Sequence, residues 1–173
     1  MLKINSSKIS TLINKFTPNA LSIFNKSCYY KIDFKINQES HVKDMVSRFA
    51  NFNIGCLAVT DKNDKIIGLV TERDYIHKVA FMNKKDNEVK VKEICTFGPD
   101  IIIAKKDDSL ETCMRKIMLH DYRHLLVFDD KKTEIIGMIS VKDLMKENNM
   151  NKNEIITRLS DFNMGKGGFF GSE

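Results

Sequence analysis

Apolar residues recur along this chain in two alternating spacings. Val42, Met45, Val46 and Phe49 stand at i, i+3, i+4 and i+7, and so do Leu110, Cys113, Met114 and Ile117. A 3.6-residue period places each set on one face of an amphipathic helix. Both helices lead into the same text. The first copy runs from Cys56 to Thr60, through a polar turn at Asp61–Asp64, and on from Lys65 to Thr71 with Gly68 at its centre. The second runs from His124 to Phe128, through a turn one residue longer, and on from Glu134 to Ser140 with Gly137 at its centre. Two short apolar runs around a charged turn predict a β-hairpin.

A further helix follows each hairpin, with Tyr75, Ile76, Val79 and Ala80 as its apolar side in the first copy and Leu144 and Met145 in the second. Ile101 to Ala104 supply a leading strand for the second copy, and Phe34 and Ile36 for the first. Each unit is thus strand, helix, hairpin, helix, spanning 33–82 and 93–147, with the polar stretch 83–92 as a link. A unit this short cannot bury its own sheet, so the two are expected to pack on each other in an α/β (α+β) domain. Residues 148–173 read as one more amphipathic helix, carrying Ile155, Ile156, Leu159 and Phe162, and a Gly/Phe-rich tail without P-loop spacing.

The chemistry sits where the hairpins end. Thr71 is followed three residues later by Asp74, and Ser140 by Asp143, each pair after a glycine and two aliphatic residues. A hydroxyl followed at that distance by a carboxylate is a helix capping box. The same geometry also suits a nucleotide: a carboxylate at a strand-to-helix junction accepts hydrogen bonds from a ribose diol, and a helix start offers N–H groups to phosphate. That the pair occurs twice, at equivalent positions, favours the second use.

These residues resemble the signature of the cystathionine-β-synthase-type (CBS) domain, here in tandem as a Bateman module and similar to stand-alone mitochondrial two-CBS proteins. The resemblance covers about residues 33 to 147. It implies a pair of βαββα units whose sheets meet and leave two clefts. It also implies a regulatory adenine nucleotide or related adenosyl ligand, no catalytic cofactor, and association as a homodimer. The interface suggested by Ile76, Val79 and Leu144 belongs to that implication. Carried over residue by residue, Thr71 and Asp74 face Arg123 and His124 as a cationic end, whereas Ser140 and Asp143 face Ile54 and Gly55 and meet no charge. The first cleft is therefore expected to take phosphorylated adenylates, and the second to stay empty or hold adenosine-like ligands. A protein partner would receive the signal. The alternative is a redox regulator of the thioredoxin-partner kind, in which protein binding comes first.

Charge and cysteines narrow the classes. The net charge is +5, but residues 1 to 32 contain five lysines and no acid, and the remaining 23 basic residues equal the 23 acidic ones in number. The folded part has no basic stripe, so nucleic acid is not an expected partner. No apolar run is long enough to cross a bilayer. Residues 1–32, basic, Ser-rich and acid-free, read as a mitochondrial transit peptide directing the chain to the matrix; the alternative is a basic tail on a cytoplasmic protein. Cys28, Cys56, Cys95 and Cys113 form no C-x-x-C pair, so no zinc site is expected, and Cys95 is the candidate reactive thiol. Catalytic signatures such as G-x-S-x-G and H-E-x-x-H are absent, which points away from an enzyme.

Overall fold

The computed structural model describes residues 18–98, 101–120, 122–132 and 134–163. Residues 1–17 and the Gly/Phe-rich tail lie outside the described residues. Asn19 accepts the Ser22 N–H at 2.9 Å and the Ser22 hydroxyl reaches back, closing a capping box that starts α1 (Ala20–Lys26). A 3-10 turn, Cys28–Tyr30, follows. The first unit contains β1 (Lys35–Asn37), α2 (Val42–Phe52), β2 (Cys56–Thr60), β3 (Ile66–Thr71) and α3 (Glu72–Tyr75), which runs on as a π turn through Ile76–Ala80. After a 3-10 turn at Val91–Glu93 comes β4 (Thr96–Phe97). The second unit contains β5 (Ile103–Lys105), α4 (Leu110–His120), β6 (His124–Asp129), β7 (Glu134–Ser140) and α5 (Val141–Asn163).

The repeat is present down to its irregularities. In each unit the leading strand runs parallel to the first hairpin strand, and the hairpin is antiparallel. A register shift falls between Val59 and Thr60 in one hairpin and between Val127 and Phe128 in the other. The expected helix faces are the buried ones: Val42, Met45 and Phe49 on α2, and Leu110, Cys113 and Ile117 on α4. The hairpin turn is held by Asp61, whose Oδ1 accepts the N–H groups of Asn63 at 2.8 Å and Lys65 at 3.0 Å.

Three boundaries differ from the sequence expectation, two of them because the stretch read as a polar link carries apolar residues that the units bury. Residues 83–92 are not a loose link. Val89, Val91 and Ile94 are buried, and the Val91 and Lys92 N–H groups donate to Ser40 and Gln38 of the first unit. β4 then pairs with β3, so the first sheet has the order β1-β2-β3-β4 and extends to residue 97, while the second is β5-β6-β7. Nor is the segment after residue 147 a separate helix; α5 is continuous from Val141 to Asn163. Of the expected interface residues, Val79 and Leu144 are core, each 1% exposed, and Ile76 alone is on the surface.

The largest departure concerns the N-terminus. Residues 18–31, read as part of a removable leader, pack on the second unit. Ala20, Ile23, Phe24 and Tyr29 are buried. The Ala20 N–H donates to Asp108 O at 2.8 Å, and Pro18 O accepts the Leu110 N–H at 3.0 Å. Phe24 lies against Gly137, where an added Cβ would stand 2.4 Å from the ring. Cleavage near residue 32 would strip this core.

Truncating a buried phenylalanine removes its transfer free energy and leaves a cavity. Phe24→Ala is therefore expected to lower the unfolding free energy by about 3 kcal/mol in urea melts of the full chain. An unchanged midpoint would mean that residues 18–31 are dispensable after all.

Candidate functional site

The strand-to-helix junctions are built alike. The Thr71 N–H and hydroxyl both donate to Asp74 Oδ2, at 2.9 and 2.7 Å, and the Asp74 N–H donates to Thr71 Oγ1 at 3.2 Å. The Ser140 N–H and hydroxyl donate to Asp143 Oδ2 at 2.8 and 2.6 Å, and the Asp143 N–H donates to Ser140 Oγ at 3.3 Å. Both pairs are thus complete capping boxes, each a stabilising contribution of about 1 kcal/mol. The first helical N–H is also taken: Glu72 donates to Gly55 O at 3.1 Å and Val141 to Arg123 O at 2.9 Å. Fewer amides face a phosphate than the sequence suggested.

What distinguishes the junctions is the second carboxylate oxygen. Asp74 Oδ1 accepts from the Lys78 ammonium at 2.7 Å. Asp143 Oδ2 takes a third donor, the Ser27 hydroxyl at 3.0 Å, while its Oδ1 has no hydrogen bond among the described residues. A carboxylate has about four lone-pair sites, so Asp143 retains acceptor capacity for a diol.

Each junction lines a cavity with residues of the other unit, but Arg123 and His124 line both cavities, and the sizes and charges differ from the expectation. Thr71 and Asp74 share a cavity of about 220 Å³ with Arg123 and His124. Ser140 and Asp143 line one of about 830 Å³ with Asn53, Ile54 and Gly55. Only the second falls in the range of roughly 300–1,000 Å³ usual for small-molecule sites. It is not chargeless: Lys26, Lys31, Lys142 and Lys146 line it, and Arg123 reaches both cavities. Lys142 and Lys146 stand beside Asp143 in sequence and were legible there. Lys26, Ser27, Tyr29 and Lys31 come from the segment read as leader, and no sequence signal tied them to a cleft.

His124 does not supply the cation expected of it. Burial, helped by the neighbouring Arg123 charge and opposed by Asp143, holds its imidazole down at about 4, so it is neutral at pH 7. Its Nε2 lies 3.2 Å from the Tyr29 hydroxyl and its ring meets Tyr29 edge-on. Three of the four cysteines are held as thiols by their environment. Burial raises the Cys95 thiol to about 11 and Cys113 to about 12, and raises Cys56 further, so none is thiolate at neutral pH. Cys28 is exposed. Among the described residues no group of three His, Cys, Asp or Glu side chains could hold a metal, and no helix is long and apolar enough to cross a membrane.

Two short-strand units with paired junction motifs and a cleft on either side define a class, and comparison with known proteins gives it a name. The CBS domain profile matches residues 32–80 and 91–149, so the chain belongs to the CBS domain family and carries a tandem pair. It is 27% identical over 126 residues, 72% of this chain, to the CBS domain-containing protein CBSX3, mitochondrial, of Arabidopsis thaliana, and spans 60% of that protein's length. It is 27% identical over 111 residues to the inosine-5'-monophosphate dehydrogenase of Methanocaldococcus jannaschii, spanning 21% of that enzyme. Among solved structures, a CBS-domain protein of Burkholderia ambifaria MC40-6 superposes with a TM-score of 0.66 at 30% identity, over 75% of this chain and 92% of its own. The CBS domain protein PAE2072 of Pyrobaculum aerophilum, solved as a complex with AMP, superposes at 0.56 with 18% identity, over 63% of this chain and 80% of its own. The CBS domain pair of protein MJ0100, in complex with 5'-methylthioadenosine and S-adenosyl-L-methionine, does so at 0.58 with 22% identity, over 71% and 97%.

Proposed function

We propose that this chain is a non-enzymatic sensor that holds an adenine nucleotide or related adenosyl ligand between its CBS units and passes its occupancy to a protein partner. The observation that carries this reading is the larger cleft, where Ser140 and Asp143 of one unit face Asn53, Ile54 and Gly55 of the other across about 830 Å³. Asp143 Oδ1 is the ribose acceptor and the aliphatic wall flanks the base. Thr71, Asp74 and Arg123 form a second, smaller site of the same design. The AMP and adenosyl complexes of the structural neighbours support the ligand class. Reading the chain as a redox regulator finds no support in the raised thiols of Cys95 and Cys113.

The test is calorimetric titration of AMP into the full chain. A hydrogen bond to a charged group contributes about 1.5–3 kcal/mol, so losing the ribose acceptor should weaken binding roughly ten- to a hundredfold. That loss is expected for Asp143→Ala and for Asp143→Asn, which keeps an oxygen for the cap, and less for Asp74→Ala. Failure of AMP, ADP and ATP alike to bind the wild type would overturn the reading. Loss confined to Asp74→Ala would move the ligand to the smaller cleft.

The homodimer is part of the same proposal. Ile76 and Met145 occupy equivalent positions after the two hairpins and are 55% and 56% exposed, and Phe81 and Met150, five residues further on in each copy, are exposed as well. A repeated apolar face of this kind suits a second copy of the chain. Light scattering at micromolar protein is expected to give twice the 19.9 kDa chain mass, and the double variant Ile76→Asp, Met145→Asp half of that. A wild-type monomer would refute it.

The mitochondrial matrix remains the proposed location, supported by the basic, acid-free N-terminus and the name of the Arabidopsis relative. A fluorescent reporter carrying residues 1–17 is expected in mitochondria; diffuse cytosolic signal would count against it.

A further inference from the structure

Five cations line the larger cleft, Lys26, Lys31, Arg123, Lys142 and Lys146, and the one carboxylate among its lining residues is Asp143. Glu147 lies beside Lys26 and bonds it at 2.7 Å, which offsets one charge. Lys31, Lys142 and Lys146 make no ion pair among the described residues. A concave site with this excess of one sign concentrates the opposite charge. It is mismatched to a neutral adenosine and repels a sulfonium, and AMP brings too little negative charge to meet it.

Two of these cations belong to this chain's own N-terminal segment. The family match begins at residue 32, after Lys26 and Lys31. The segment that carries them is nonetheless fixed at the cleft: Ser27 is buried and donates to Asp143, and Tyr29 is 2% exposed with its hydroxyl on His124. The lysines therefore belong to an anchored wall of the cavity, joined to Asp143 through Ser27.

Resting on the adenylate reading above, we infer that the larger cleft selects adenosine ligands bearing two or three phosphates over AMP, and rejects S-adenosylmethionine, with Lys31 and Lys146 as specificity-determining residues. An exposed charge pair changes affinity by at most about fivefold, so the preference is the sum of several contacts and should be sensitive to salt.

The experiment is calorimetric titration of ATP, ADP, AMP, 5'-methylthioadenosine and S-adenosylmethionine, without magnesium, into the full chain and its variants. ATP is expected to bind at least about tenfold more tightly than AMP at low salt, with the ratio shrinking in about 0.5 M sodium chloride. Lys31→Ala with Lys146→Ala should bring the ratio to within about threefold, and Lys31→Arg with Lys146→Arg should restore it. Lys62→Ala, on the exposed turn between β2 and β3, is the control that should leave it alone. AMP or S-adenosylmethionine binding as tightly as ATP would overturn this inference while leaving the adenylate reading standing, and so would an ATP preference that survives the double alanine variant. Failure of every adenosine ligand to bind would end both.

Discussion

Gly68 and Gly137 mark the close approach on which the rest of the structure depends. A Cβ on Gly68 would stand 2.6 Å from the Thr96 carbonyl oxygen, and one on Gly137 would stand 2.4 Å from the Phe24 ring. Each hairpin is thus covered at its centre by a segment that precedes the other unit in the chain. β4, which leads into the second unit, pairs with β3 of the first; the N-terminal helix, which leads into the first unit, packs on β7 of the second. The long helices repeat the exchange, since the Val42 N–H donates to Val89 O and the Leu110 N–H to Pro18 O. Both hairpins thus pack against segments that lie outside the repeated strand-helix-hairpin-helix unit. The buried side chains accordingly form one core cluster running from Ala20 to Leu144.

That exchange also makes the two clefts unequal. The segment over the first sheet is an extended strand, and the space beside Asp74 that it leaves is small. Lys78 of the first unit closes on the Asp74 carboxylate and on the Ile94 carbonyl, so this cation is already engaged within the unit. The segment over the second sheet is a helix and a 3-10 turn, which stand the side chains of Lys26, Ser27, Tyr29 and Lys31 around Asp143. Two junctions with the same capping chemistry thereby acquire different surroundings from covers of different secondary structure.

Much of this was legible in the sequence, where the physics is local. The i, i+3, i+4, i+7 faces of α2 and α4, the hairpins and the capping pairs are each fixed within about a dozen neighbouring residues, and the structure has them at those positions. The family resemblance set Arg123 and His124 opposite Thr71 and Asp74; they line that cavity and the larger one as well. What was not legible depends on covering. Ala20, Ile23 and Phe24 have the spacing of a helix face, but a face says nothing of what it meets, and the absence of acids around it reads equally as a leader. Charge failed for the same reason. Lys26 and Lys31 stand far in sequence from Lys142 and Lys146 and become one lining only through the fold. His124 has the sequence of a cation and the burial of a neutral ring.

The Ser27 hydroxyl gives the larger cleft a property that neither its size nor its charge conveys. It shares Asp143 Oδ2 with the Ser140 N–H and hydroxyl, three donors on one oxygen, while Oδ1 has no donor among the described residues. A ligand hydroxyl arriving at Oδ1 draws electron density from the carboxylate that the other three donors share, so ligand, helix cap and N-terminal segment are coupled through a single group. Hydrogen-bonded chains polarise one another in a low dielectric, and their parts are not independent. The segment is tied at its other end to Asp108 and Leu110 at the start of α4. The N-terminal segment is thereby fixed at both ends, to the helix cap of α5 through Ser27 and to the start of α4 through Pro18 and Ala20, so the carboxylate and the segment are held as one packed piece.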